Sequence, residues 1–179
     1  RAVKSIAFSK NISTMGAYVF ASCSELREIT LPQSLTGIPQ YGFADCSSLV
    51  TVEIPAVNKT KTVGAYAFKG CYNLGSINLR LVNLIEQGAF ADCTGLIRVQ
   101  ITEPSCQIEE NAFPVVKKLY LIGVEGGTVE EYALLHNDYI TFISMDDEGT
   151  QQYYQCVVQK PFGGTGNETR ELSTVLPKA

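Results

Sequence analysis

Residues Leu26–Cys46 read LREITLPQSLTGIPQYGFADC. Three features sit in fixed order within this stretch. Ile29 and Leu31 alternate with polar residues, which is the period-two pattern of a half-buried strand. Pro32 ends that strand, because proline cannot donate to a strand ladder. Phe43-x-x-Cys46 closes the stretch. The Phe-x-x-Cys unit recurs at Phe20/Cys23, Phe43/Cys46, Phe68/Cys71 and Phe90/Cys93, in steps of 23, 25 and 22 residues. Phe113 follows 23 residues later, with Val116 in the cysteine's place. Self-similarity at this period is the sequence signature of a solenoid.

Other positions repeat in register. Five residues before each Phe stands Met15, Ile38, Val63, Ile85 or Ile108, and three after each Cys stands Leu26, Leu49, Leu74 or Leu96. Strand patterns follow at Ile29/Leu31, Val52/Ile54, Ile77/Leu79 and Val99/Ile101, and the fifth unit continues as Leu119 and Leu121. Val3, Ile6 and Phe8 belong to an earlier, partial unit. One such unit cannot bury its own apolar face, whereas stacked units share a continuous core. The spacing therefore predicts strands side by side in a parallel sheet, the phenylalanines on the opposite wall, and on the order of 1.5–3 kcal/mol from burial of each inward aliphatic side chain.

Aligned this way, the unit resembles the BspA-like, or Treponema pallidum-type, leucine-rich repeat, whose signature is close to Leu-x-x-Ile-x-Leu-Pro-x-x-Leu-x-x-Ile-Gly-x-x-Ala-Phe-x-x-Cys. Leu26–Cys46 matches nearly position by position, and Val63-Gly-Ala-Tyr-Ala-Phe68-Lys-Gly-Cys71 matches the second half. Thr60 and Ser105 depart from it where an apolar residue is expected eight before Phe68 and Phe113. The resemblance implies an α/β or mainly-β repeat solenoid, a right-handed horseshoe with a parallel strand sheet. It implies a cell-surface or secreted protein that adheres to or binds other proteins, such as a host surface or matrix protein. It brings no catalytic residues and no cofactor.

The array is expected over residues 1–144, with about five repeats and a helix–strand cap at 124–144. Thr128 with Glu131 reads as a capping box opening a short helix whose inner stripe is Val129, Tyr132 and Ala133. Tyr139–Ile143 reads as a final strand. Residues 145–160 hold one more alternating stretch around Tyr153–Val158. Residues 161–179, rich in Gly, Thr and Pro, read as a linker or extended tail. The terminal Leu-Pro-Lys-Ala is only faintly like a sortase motif, lacking its following residues, apolar span and basic tail.

Equivalent positions in stacked coils lie about 4.8 Å apart, while a disulfide holds Cβ atoms about 3.5–4.5 Å apart. Cys23, Cys46, Cys71 and Cys93 are accordingly expected as a column of buried free thiols, each acting as a small hydrophobe. Cys106 and Cys156 fall off that register, either pairing with each other or remaining single thiols. His136 alone supplies no multi-histidine metal site, and the repeat cysteines lack the paired spacing of structural zinc. Asp146, Asp147 and Glu148 lack the ligand spacing of a calcium loop, and Gly163–Gly166 lacks the lysine and helix of a phosphate loop. A net charge of −4 gives no basic patch for nucleic acid, and no apolar run reaches the ~20 residues of a membrane span. Because the chain opens at Arg1 inside a repeat, it reads as a fragment or processed product. Asn11, Asn58 and Asn167 are glycosylation sequons in a eukaryotic secretory context.

The outward strand positions remain for function: Glu28 and Thr30, Thr51 and Glu53, Ser76 and Asn78, Arg98 and Gln100, Lys118 and Tyr120. Charge changes sign along them, from Glu28 and Glu53 to Arg80, Arg98 and Lys118, which suits orientation of a partner of complementary charge. Tyr120 with Arg98 and Lys118 is the expected contact centre, since Tyr and Arg are enriched at hot spots. Alternative readings of the chain are a structural spacer within a larger surface protein and a carbohydrate-binding module.

Overall fold

A computed structural model describes residues 3–4, 6–9, 11–55 and 60–145. Arg1–Ile143 form one compact unit, and Ser144–Ala179 a second of which only Ser144 and Met145 are described. The expected strand near 153–158, the tail at 161–179, Cys156, Asn58 and Asn167 lie outside the described residues.

Each coil runs through a first strand, a turn, a shorter second strand and a chain of turns. The first strands are β1 (Glu28–Thr30), β3 (Thr51–Glu53), β5 (Ser76–Leu79), β7 (Arg98–Ile101) and β9 (Leu119–Gly123). The second strands are β2 (Gly37–Ile38), β4 (Thr62–Val63), β6 (Leu84–Ile85) and β8 (Gln107–Ile108). β2, β4, β6 and β8 form one parallel sheet in sequence order. The first strands pair in parallel as β1–β3 and as β5–β7–β9. Partners such as Ile29↔Val52 and Ile38↔Val63 are repeat-equivalent residues, so the register of the sheet is the register of the sequence. Side chains alternate as expected: Ile29, Val52, Ile77 and Val99 are buried between outward neighbours.

The turn wall is as regular as the sheets. The N–H groups of Tyr41, Phe43 and Asp45 donate to the carbonyls of Ala65, Ala67 and Lys69 in the next coil, and Tyr66, Phe68 and Gly70 donate to Gln87, Ala89 and Ala91. This alternating ladder requires a left-handed residue at two places per coil. Positive φ occurs at Tyr18/Ser22, Tyr41/Asp45, Tyr66/Gly70 and Gly88/Asp92. Gly, Asn and Asp visit that region most readily.

Inside, Phe20, Phe43, Phe68, Phe90 and Phe113 form an unbroken stack with neighbouring centroids 5.3–5.4 Å apart. Phe8 closes one end edge-on at 5.8 Å, and Tyr132 the other at 5.9 Å. The repeat cysteines are buried free thiols. Three of them also donate a hydrogen bond to the preceding coil: Cys46 to the Phe20 carbonyl at 3.1 Å, Cys71 to Phe43 at 3.2 Å and Cys93 to Phe68 at 3.0 Å. They are thus polar links between coils as well as packing residues. Val116 keeps only the packing and is half-buried against the core.

The two departures from the repeat resolve differently. Thr60 is buried and satisfied, its hydroxyl donating to the Leu35 carbonyl of the coil before at 3.0 Å. Ser105 turns outward to Glu103, and Cys106 takes the buried place instead. Cys106 is therefore a free core thiol, set one residue off the spacing by a longer turn.

The cap consists of α1 (Thr128–Leu135) and β10 (Ile140–Ser144), which extends the first-strand sheet beside β9. Val129, Tyr132 and Ala133 form the buried stripe, as expected. The capping box does not form. Gly127 is the N-cap, without a side-chain cap. Thr128 lies inside the first turn, its hydroxyl reaching the Pro104 and Cys106 carbonyls of the last coil. Glu130 rather than Glu131 bonds backward, accepting from the Gly126 N–H at 2.7 Å. Thr128 thus fastens the cap to the array rather than starting its helix.

Phe68 is fully buried with a ring on each face. Phe68→Ala should cost about 3–5 kcal/mol, read from the urea midpoint by circular dichroism. Phe8→Ala, at the half-buried end of the stack, should cost clearly less.

Candidate interaction surface

Strand alternation fixes which side chains leave the core. Glu28, Thr30, Thr51 and Glu53 are exposed, while Ser76, Asn78, Arg98, Gln100 and Tyr120 are half-buried on the same face. Across β1 and β3, the Thr30 hydroxyl donates to Glu53 Oε2 at 2.8 Å. Across β5 and β7, Asn78 Nδ2 donates to Gln100 Oε1 at 3.2 Å. The Asn78 Oδ1 atom itself is buried without a hydrogen bond.

The fifth rung differs from the expected one. Arg98 pairs with Tyr120, and Gln100 with Ile122. Lys118 lies just before β9, exposed. Val99 follows Phe90 by nine residues, but its partner Leu121 follows Phe113 by only eight. Leu121 and not Leu119 is the partner of Val99, which moves the outward rung two residues along the same face, from Lys118 and Tyr120 to Tyr120 and Ile122. Ile122 is buried. The expected trio still comes together: Tyr120 stands beside Arg98, and Lys118 Nζ lies 5.1 Å from the Tyr120 ring centre.

Elsewhere the chemistry is sparse. His136 caps the end of α1, donating from Nδ1 to the Tyr132 carbonyl at 2.8 Å, with its ring 4.2 Å from that of Tyr132. Its ring is stacked and half-buried. Among the described residues no group of three or more His, Cys, Asp or Glu stands close enough to share a metal ion. No helix among them is long and apolar enough to cross a membrane. Burial pushes the Cys46 thiol up to about 11 and the Cys93 and Cys106 thiols to about 12. Cys71 rises for the same reason, with the neighbouring Cys93 and Cys46 adding to it. These are poor nucleophiles at neutral pH, because the thiolate is the reactive form.

The second wall carries a feature that the strand reading passed over. Tyr18, Tyr41 and Tyr66, each two residues before a repeat phenylalanine, form an outer stack with centroids 4.7 and 5.0 Å apart. The recurrence of Tyr-x-Phe in three units was its sequence signal.

A parallel solenoid with one ordered polar strand face, an inner phenylalanine stack and a terminal cap defines a leucine-rich repeat protein. The chain belongs to the BspA-type leucine-rich repeat family, whose pattern matches six copies over residues 2–120. Among solved structures it is similar to a leucine-rich cell surface protein of Faecalibacterium prausnitzii, with 21% identity, a TM-score of 0.55, and 84% of this chain against 34% of that one. It is also similar to the T. pallidum leucine-rich repeat protein, with 24% identity, a TM-score of 0.57, and 62% of this chain against 52% of that one. The pneumococcal vaccine antigen PcpA matches at 16% identity and a TM-score of 0.50, over 76% of this chain and 42% of that one. The chain thus spans between a third and about half of the length of these proteins. No curated protein sequence matches it.

The raised thiol values set a pH dependence. The folded state holds these protons more tightly than the unfolded chain, so their stabilisation is fully present below pH 9.0 and is lost as pH rises through about 11–12. The urea midpoint should fall over that range. Cys93→Val, which copies the chain's own Val116, should flatten the fall.

Proposed function

We propose that this chain is a non-enzymatic protein-binding module of an extracellular or cell-surface protein, with the outward strand face as its contact surface. Arg98 and Tyr120 side by side on adjacent strands carry the reading. They are the residue types that dominate binding energy at protein interfaces, and both are half-buried, so part of their ordering entropy is already met in the free protein. Glu28 and Glu53 at one end, with Arg98 and Lys118 toward the other, give a partner one favoured direction along the stack. Two likenesses to proteins described as a cell surface protein and a vaccine antigen support the location. A protein of a host surface or extracellular matrix is the kind of partner proposed.

The test is binding to immobilised matrix proteins by surface plasmon resonance. The double variant Arg98→Ala/Tyr120→Ala should keep its unfolding midpoint within the usual range for surface substitutions and lose about 2 kcal/mol or more of affinity. Unchanged affinity of the double variant for a partner that the native chain binds would reject the assignment.

A further inference from the structure

The tyrosine stack stands on the turn wall, away from the strand face, and nothing in the fold requires it. Tyr18, Tyr41 and Tyr66 have φ of 60°, 52° and 56°. The same place in the next two coils holds Gly88 and Asn111, with φ of 61° and 55°. Gly and Asn accept this conformation at low cost, whereas an aromatic side chain there is strained. Three coils therefore carry a costlier residue where two others show that a cheaper one serves.

The stack is open to solvent at one end and along its edges. Tyr18 is 55% exposed, and Tyr41 and Tyr66 are half-buried. Tyr41 is stacked on both faces, so a sugar ring has no face to lie on there. Tyr66 leans over Gly88, where a Cβ would come within 2.4 Å of its ring. The backbone of the following coil therefore packs against Tyr66, and the open end of the stack is the one at Tyr18. The chain's own Lys69 places its ammonium 5.9 Å from the Tyr66 ring centre, an internal example of a cation at these rings.

Charge selects the occupant. The turn segments 16–25, 39–48, 64–73, 86–95 and 109–116 hold six carboxylates and one ammonium, that of Lys69. Their net charge of −5 exceeds in magnitude the −4 of the whole chain. Asp45 and Asp92 are exposed two residues beyond their phenylalanines, and Glu109 and Glu110 are exposed at the last coil. The strand face, in contrast, is mixed in sign. Phenolic oxygens, the open Tyr18 end of the stack and carboxylates share one preference: they accept cationic donors, guanidinium above all.

We infer that the tyrosine stack is a second binding surface, and that it takes an extended arginine- or lysine-bearing segment of another protein. The inference is independent of the strand face. It is tested by titrating the full chain with an oligo-arginine peptide while following the tyrosine ring signals by NMR, with an oligo-glutamate peptide and a neutral glucan oligosaccharide alongside. The variant Tyr18→Asn/Tyr41→Asn/Tyr66→Asn places at all three sites the residue that the chain uses at Asn111, and it leaves every carboxylate in place. Saturable shifts of the ring signals are expected with oligo-arginine alone. The triple variant should bind that peptide about tenfold more weakly, and Arg98→Ala/Tyr120→Ala should bind it as the native chain does. Equal binding by native and triple-variant chains would reduce the effect to bulk charge and overturn the inference. Ring signals that stay still with the peptide, or move with the glucan instead, overturn it as well. The ring shifts of the native chain decide the matter even if the triple variant does not fold.

Discussion

A coil of about 23 residues has no interior of its own, and its core is completed only by the coil before and the coil after it. The repeat-equivalent hydrogen bonds and the phenylalanine stack are the two forms this dependence takes. Phe43 shows both at once. Its ring lies between those of Phe20 and Phe68, its N–H donates to Ala67 of the next coil, and its carbonyl accepts the thiol of Cys71. The rise from coil to coil must therefore suit ring stacking and backbone hydrogen bonding together. The left-handed residues in the turns, the buried small thiols and the outward polar strand positions are all consequences of holding that rise. The cap follows from the same constraint, since the last phenylalanine needs a partner and Tyr132 supplies one edge-on.

Much of this was legible in the residues. The Phe-x-x-Cys spacing gave the coil length, and the Ile-x-Leu alternation gave the strands, their inward sides and their parallel register. Free thiols followed from the geometry of stacked coils. What could not be read from apolar spacing was how polar groups are shared between coils. Thr60 looked like a defect and is a hydrogen-bonded core residue. Thr128 looked like a helix start, but its hydroxyl is drawn to carbonyls 22 and 24 residues earlier in the chain. Register was equally hidden: the longer turn before Cys106 moved the buried place by one residue, and Leu121 in place of Leu119 became the partner of Val99. The rung beside Arg98 and Gln100 therefore fell on Tyr120 and Ile122 and not on Lys118 and Tyr120, two residues along the same face, while Leu119 and Leu121 kept their inward side.

The walls of the solenoid divide the work. The inward positions are held to Phe, Cys, Leu, Ile and Val by packing, so differences between coils collect on the outside. On the strand face they give a line of polar residues whose charge changes sign. On the turn wall they give stacked tyrosines amid carboxylates. Both surfaces are ordered by the same coil spacing, and neither needs a cavity, a metal or a reactive thiol.

The central claim is that the turn wall is a hydrogen-bonded ladder continuous with the core, not a set of loops. Amide hydrogen exchange under native conditions addresses it directly. The N–H groups of Tyr41, Phe43, Tyr66 and Phe68 should exchange as slowly as those of Val52 and Val99 in the strands, because opening either requires separating coils. Exchange at the turn amides as fast as in an unstructured loop, with the strands still protected, would contradict it.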